Sequence, residues 1–190
     1  MSDGFWGAGA WLVGFVALQR LAELIYAGAN SRRLLRTGGM EFGRAHYPVM
    51  VALHLCWLLA VFFLGHARPV ALPWLVIFIF LQAARLWVIA TLGPRWTTRI
   101  IVVPGEAVIR RGPYRWFRHP NYLIVTLEIA VVPLALGLWG VAIAFSAANA
   151  AMLYRRIRVE NAALNWAETT RRADIFDKAM SALANAASRR

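Results

Sequence analysis

The chain has 190 residues, 60% of them hydrophobic, with mean hydropathy +0.54 and a formal net charge of +12. A soluble domain is only about 45–50% apolar, and here the excess is gathered into long runs, which excludes an ordinary soluble globular protein. The charge does not indicate nucleic acid, because the arginines cluster where apolar runs end and so have a membrane-topology explanation.

A helix needs about 20 residues to cross the hydrocarbon core. Phe5–Leu18 is uncharged and extends through a mixed stretch to Ala27. Tyr47–Gly65 is apolar apart from His54, and Val70–Leu92 carries only Gln82 and Arg85. Tyr122–Leu153 has Glu128 and Asn149 as its conspicuous polar groups, with Gly137 and Gly140 near its middle. These runs predict about five spans. The last two are short and form a tight hairpin around Gly137–Gly140. The expected fold class is an all-α, polytopic integral membrane protein. Acidic Asp3, with no basic residue before the first run, argues against a cleaved signal peptide. The single cysteine, Cys56, excludes an intramolecular disulfide and reads as packing within a span.

Arginine position predicts orientation. Arg32, Arg33, Arg36 and Arg44 follow the first span. Arg95, Arg99, Arg110, Arg111, Arg115 and Arg118 follow the third, and Arg155, Arg156 and Arg158 the fifth. The intervening connections hold Arg68 or no arginine. By the positive-inside pattern the N-terminus is outside and the C-terminus cytoplasmic.

Three pieces lie outside the spans. Ala27–His46 is a short basic loop. In Gly93–Pro120, β-branched Thr97–Val103 is followed by the turn Pro104–Gly105–Glu106 and the apolar stretch Ala107–Ile109, which predicts a hairpin-like loop at the interface. Arg155–Arg190 continues the last span and then shows an apolar stripe, Ile175, Phe176, Ala179, Met180 and Leu183. That stripe is either an amphipathic surface helix or a packed end. The chain divides into a three-span region over 1–92, a core over 93–166 and a tail over 167–190.

Arg20, His54, Arg85, Glu128 and Asn149 each lie about six to eight residues from the loop end of their own span, hence roughly 9–12 Å deep. Isolated charges at that depth are costly, so they line a cavity or pair. One reading is a polar pocket open to a soluble ligand. The other is structural, with Arg20 pairing Glu23 and Arg85 pairing Glu128.

The most specific stretch is Gly112–Pro113–Tyr114–Arg115–Trp116–Phe117–Arg118–His119–Pro120–Asn121–Tyr122. It is a loop entering a membrane helix. Pro120 suits the first helical turn, and the helix start offers free N–H groups to a polar ligand. Arg118 and His119 add donors, and Tyr114 and Tyr122 add aromatic faces. An interfacial belt of Arg, Trp and Tyr explains Arg115, Trp116 and Phe117 equally well, but not the His–Pro–Asn–Tyr start.

This motif, with Arg156–Ile157–Arg158–Val159–Glu160 downstream, resembles the isoprenylcysteine carboxyl methyltransferase family, which is similar to membrane phospholipid methyltransferases. The likeness spans roughly residues 93–164. It implies a site for S-adenosylmethionine formed by Ala107, Val108, Ile109, Tyr114, His119, Pro120, Asn121, Tyr122 and Glu160, with Arg156 beside the substrate and no metal. The family commonly has His where this chain has Glu106, and a second glutamate where it has Asn161; its tyrosine-rich tail is absent from Asn165–Arg190. Gly43–Arg44–Ala45–His46–Tyr47–Pro48 looks like a bacterial branch sometimes associated with polyketide-type lipids, which implies a bacterial inner (plasma) membrane. The implied acceptor is lipophilic, either a prenylcysteine-like carboxylate or a lipidic phenol or enol such as an alkylpyrone. A carboxylate needs no general base; for a hydroxyl, Glu128 is the candidate. Two rival readings are an NADPH-dependent membrane reductase of sterol or isoprenoid double bonds, which has a similar Arg-His-x-Asn-Tyr helix start, and a non-enzymatic lipid-binding membrane protein. Nucleic acid is not expected as a partner, and oligomeric state is left open.

Overall fold

The structure, a computed structural model, describes residues 7–187. Asp3 and Phe5, on which the signal-peptide argument and the start of the first run rest, lie outside the described residues, as does the side chain of Leu183.

The regular structure of the described chain is helical apart from two three-residue strands. In order, the elements are α1 (Ala8–Arg36), β1 (Met40–Phe42), α2 (Tyr47–Gly65), α3 (Leu72–Leu92), β2 (Ile100–Val102), α4 (Pro120–Ala135) and α5 (Trp139–Ala187). Among the described residues, three stretches can cross a membrane by length and apolarity: Ala8–Arg36, Arg44–Gly65 and Leu72–Arg95. The fold is the expected all-α membrane class. Of the five spans expected, three meet this measure among the described residues. At 16 residues, α4 rises only about 24 Å, short of a hydrocarbon core of about 30 Å.

Apolar burial sits between helices, and large apolar side chains also face outward. Val13, Trp57, Val61, Phe78, Ile129 and Val132 pack into one core, while Phe15, Phe63, Phe80 and Leu86 stay exposed. Outward apolar groups of this kind suit lipid and not water. Cys56 is exposed on this outer surface, not packed inside as expected.

Helix ends are closed by specific devices. Pro133 inside α4 has no N–H to offer the carbonyl of Ile129 one turn back. The indole N–H of Trp57 on α2 takes that carbonyl at 3.1 Å. The α4–α5 turn is Leu136–Leu138, where Gly137 adopts φ +68 and Leu138 N–H bonds the Pro133 carbonyl at 2.8 Å. A left-handed residue favours glycine there. The expected turn at Gly137–Gly140 is therefore shorter, because Gly140 already belongs to α5.

Two further expectations change. Ile100–Val102 does not fold back on Ala107–Ile109; it pairs antiparallel with β1, Met40 opposite Val102. The tail continues α5 as one helix of 49 residues, with Ile175, Phe176 and Met180 exposed along it.

Candidate functional site

Helices α1 to α5, β2 and the loop after it enclose a cavity of about 430 Å³, within the usual size of small-molecule sites, roughly 300–1,000 Å³. On α5, Asn149, Leu153, Arg156 and Glu160 line it, a spacing that puts all four on one face. On α2, Met50, His54, Trp57 and Leu58 do the same.

The loop end of the cavity gathers most of the candidate site residues. Ala107, Val108, Ile109, Tyr114, Arg118, Asn121, Tyr122, Arg156 and Glu160 all line it. Arg156 is 4% exposed and held on three sides. Its Nε donates to the Tyr122 hydroxyl at 2.8 Å, one terminal nitrogen to the Thr98 carbonyl at 2.5 Å, and the other meets the Met50 sulfur at 3.1 Å. Its guanidinium carbon also lies 5.5 Å from the Tyr122 ring centre. Burial, followed by the Glu160 charge, pushes the Tyr114 phenol well above its ordinary range, so it stays protonated.

His119 and Pro120 are not on the wall. The His119 ring stacks on Tyr122 with centroids 5.3 Å apart. Its Nε2 faces Asn161 Oδ1 at 3.1 Å and its Nδ1 faces Glu160 Oε2 at 3.4 Å. Both partners are acceptors, which suits an imidazolium. Chiefly because of Glu160, and despite burial, His119 titrates above its ordinary value. Burial would raise Glu160, but bonding with His119 and Tyr122 and the Arg156 charge outweigh it and hold its carboxyl low.

The deep polar groups separate into wall and support. Arg20, Glu23, His54, Arg85 and Asn149 line the cavity; Glu128 does not. Glu128 is 1% exposed and accepts from Arg20 at 2.5 Å, Arg85 at 2.5 Å and Gln82 at 2.9 Å. Glu23 takes Arg20 at 3.0 Å and both Arg85 Nε and a terminal Arg85 nitrogen. The result is an interhelical cluster of two cations and two anions, larger than the pairs expected from sequence.

Sequence reading missed Asn161, Thr98, Met50 and Trp96. Asn161 stood where the resembled pattern has an acid, and no local signal marks the other three. Trp96 lines the cavity at 2% exposure with its indole N–H unpaired. Glu106, another departure, pairs with Arg95, whose other terminal nitrogen holds the Ala107 carbonyl at 2.8 Å.

Fit to S-adenosylmethionine can be judged from groups left open. Glu160 Oε2 and Asn121 Oδ1 are buried acceptors without a full hydrogen bond. The ammonium, ribose hydroxyls and adenine amine of that molecule are donors, and its carboxylate and ring nitrogens can take the Trp96 N–H. The residues present fit the group.

The profile of the isoprenylcysteine carboxyl methyltransferase (ICMT) family matches residues 74–166. Uncharacterized protein YpbQ of Bacillus subtilis (strain 168) is 36% identical over 159 residues, covering 80% of this chain and 94% of that protein. An uncharacterized protein of Haemophilus influenzae is 23% identical over 110 residues, covering 55% of this chain and 64% of its own length. No solved structure matches. With the family profile over its motif-bearing core and a relative matched along nearly its whole length, the chain belongs to the isoprenylcysteine carboxyl methyltransferase family.

Proposed function

We propose that this protein is an integral membrane O-methyltransferase that uses S-adenosylmethionine and acts on a lipophilic acceptor, a prenylcysteine-like carboxylate or a lipidic phenol or enol such as an alkylpyrone. The observation that carries the reading is one continuous cavity. It joins the family motif at Tyr114, Asn121 and Glu160 to wall residues deep among apolar helices, His54, Leu58 and Asn149. A polar donor and an apolar acceptor then meet between the two ends. The arginine asymmetry supports the motif end facing the cytoplasm of a bacterial inner (plasma) membrane, with the N-terminus outside.

S-adenosylmethionine supplies an electrophilic methyl group. Glu160 and Asn121 accept hydrogen bonds from its polar end, and His119, pressed between Asn161 and Glu160, fixes the Glu160 carboxylate. Tyr114 and the Ala107–Ile109 stretch form the remaining wall, with Arg118 at the entrance. Arg156, already oriented by Tyr122 and Thr98, presents positive charge to an acceptor oxygen. Orientation of this kind supplies several kcal/mol of the barrier.

Calorimetry of purified protein with S-adenosylhomocysteine and with NADPH tests the reading. Binding of the first and not the second is expected. Binding of NADPH alone would establish the reductase, and binding of neither would favour a lipid-binding protein.

A further inference from the structure

We infer that His54 is the proton acceptor for a hydroxylic methyl acceptor, with the Asn149 amide oxygen on the neighbouring helix as a second acceptor that shares the same hydroxyl hydrogen. The inference rests on the methyltransferase reading above and narrows its acceptor to a phenol or enol.

His54 lines the cavity one turn from Met50, about 6 Å along α2. Met50 in turn touches Arg156 at 3.1 Å. His54 Nδ1 lies 2.8 Å from the Met50 carbonyl oxygen. A carbonyl only accepts, so Nδ1 carries the hydrogen and Nε2 of the neutral ring carries the lone pair. Nε2 has no hydrogen bond among the described residues.

Asn149 shows a second lone pair. Thr126 Oγ1 donates its one hydrogen to the Tyr122 carbonyl at 2.9 Å. It can then only accept from Asn149, whose Nδ2 lies 3.5 Å away. This orients the amide and leaves Oδ1 unpaired, although Asn149 is 1% exposed and on the cavity wall. Helices α2 and α5 pack together, and the two residues lie at similar depth. Two open acceptors call for a donor in the occupant. A carboxylate has no hydrogen to give; a phenol or enol has one, which the two acceptors share in a three-centre hydrogen bond until His54 takes it.

The other basic groups of the wall are engaged or lie at the loop end. Glu23 is held by Arg85, Arg20 and Gln19, Glu106 by Arg95, and Glu160 faces His119. In the proposed step the acceptor oxygen bonds to the methyl carbon and its proton passes to His54 Nε2. The electron pair of the broken carbon–sulfur bond stays on sulfur. One positive charge thus leaves the sulfonium and one appears on the imidazole. The charges around His54 are Arg20 and Glu23 on α1, Arg85 on α3, Glu128 on α4 and Arg156 on α5.

The test uses the full chain in detergent, a long-chain para-alkylphenol and a long-chain fatty acid. In nitrogen-labelled histidine NMR, the His54 Nε2 signal is expected to move with the phenol and not with the fatty acid. His54→Gln is expected to lower phenol turnover about 10²–10⁴-fold and keep S-adenosylhomocysteine affinity within about twofold. The loss should shrink as pH nears the phenol's own ionisation, about pH 10, because a phenolate needs no base. Should His54→Gln fail to fold, His54→Asn and the wild-type titration decide. An unmoved His54 signal, methylation of the fatty acid alone, or unchanged His54→Gln turnover at every pH would overturn the assignment. Failure of the wild type to bind S-adenosylhomocysteine would instead remove the methyltransferase reading itself.

Discussion

Asn161 Oδ1 accepts from His119 Nε2 at 3.1 Å, so the other ring nitrogen is turned toward Glu160. A neutral ring in that orientation would set a lone pair against a carboxylate oxygen at 3.4 Å. The ring is therefore charged where the site is tight, and the loop end of the cavity becomes pH-sensitive.

The sign follows from both partners. His119 is raised above its ordinary 6.5, so its stabilisation is full below that value and is lost as pH rises through the higher folded value. Glu160 is lowered from 4.5, so its contribution is present above that value and is lost as pH falls through the lower one. S-adenosylhomocysteine affinity should therefore hold between 4.5 and 6.5 and decline on the alkaline side. His119→Ala should weaken binding about 10-fold or more, as loss of a charged hydrogen bond of about 1.5–3 kcal/mol implies, and should abolish the alkaline decline. Calorimetry across pH checks this. Equal affinity in wild type and variant at every pH would show that His119 does not act through Glu160.

A second prediction concerns Trp57 and Pro133. Trp57→Phe leaves the Ile129 carbonyl unpaired in the core and should cost about 1–3 kcal/mol. In a Pro133→Ala background the backbone N–H restored at position 133 can take that carbonyl, so the same change should cost less. Thermal unfolding of the two singles and the double measures the coupling. Strictly additive costs would mean that proline and indole are unrelated.

How much of this was legible in the sequence depends on what each feature needs. Apolar runs and the Gly112–Tyr122 motif are local, and both are found where expected. The common depth of His54, Arg85 and Asn149 follows from helical rise and places all three on one cavity. Partner choice does not follow from rise, because it depends on how each helix is rotated. Glu23 therefore looked like a neighbour of Arg20, yet it also clasps Arg85. The β1–β2 pair is three residues long, too short for an alternation signal, and it forms only because α1 and α3 deliver both strands to one end.

Orientation can be tested with single cysteines in a Cys56→Ala background. Ala67 is exposed between α2 and α3, and Ala179 is exposed on the far part of α5. The proposed topology, drawn from the arginine asymmetry, has the first outside and the second in the cytoplasm. Ala67→Cys should react with an impermeant maleimide in intact cells, and Ala179→Cys only after lysis. The reverse pattern would invert the proposed topology.

The last prediction concerns Glu128, the sequence's candidate for a catalytic base. Its carboxylate is held by Arg20, Arg85 and Gln82 and does not reach the cavity wall. Arg20, Arg85, Glu23 and Glu128 together carry no net charge, which is the condition for keeping four ionisable groups at this depth. Glu128→Gln removes one anion and leaves an excess buried cation. Breaking a buried pair in this way costs about 3–5 kcal/mol, so the variant should unfold at clearly lower temperature in detergent. Turnover per folded molecule should nonetheless stay within a few-fold of wild type, because the wall facing the acceptor is unchanged. A base would behave in the opposite way: removing it lowers turnover about 10²–10⁴-fold and need not touch stability. Parallel measurement of unfolding, S-adenosylhomocysteine affinity and turnover separates the two roles. A Glu128→Gln protein that is stable, binds normally and is catalytically dead would return Glu128 to the chemistry and take the proton from His54.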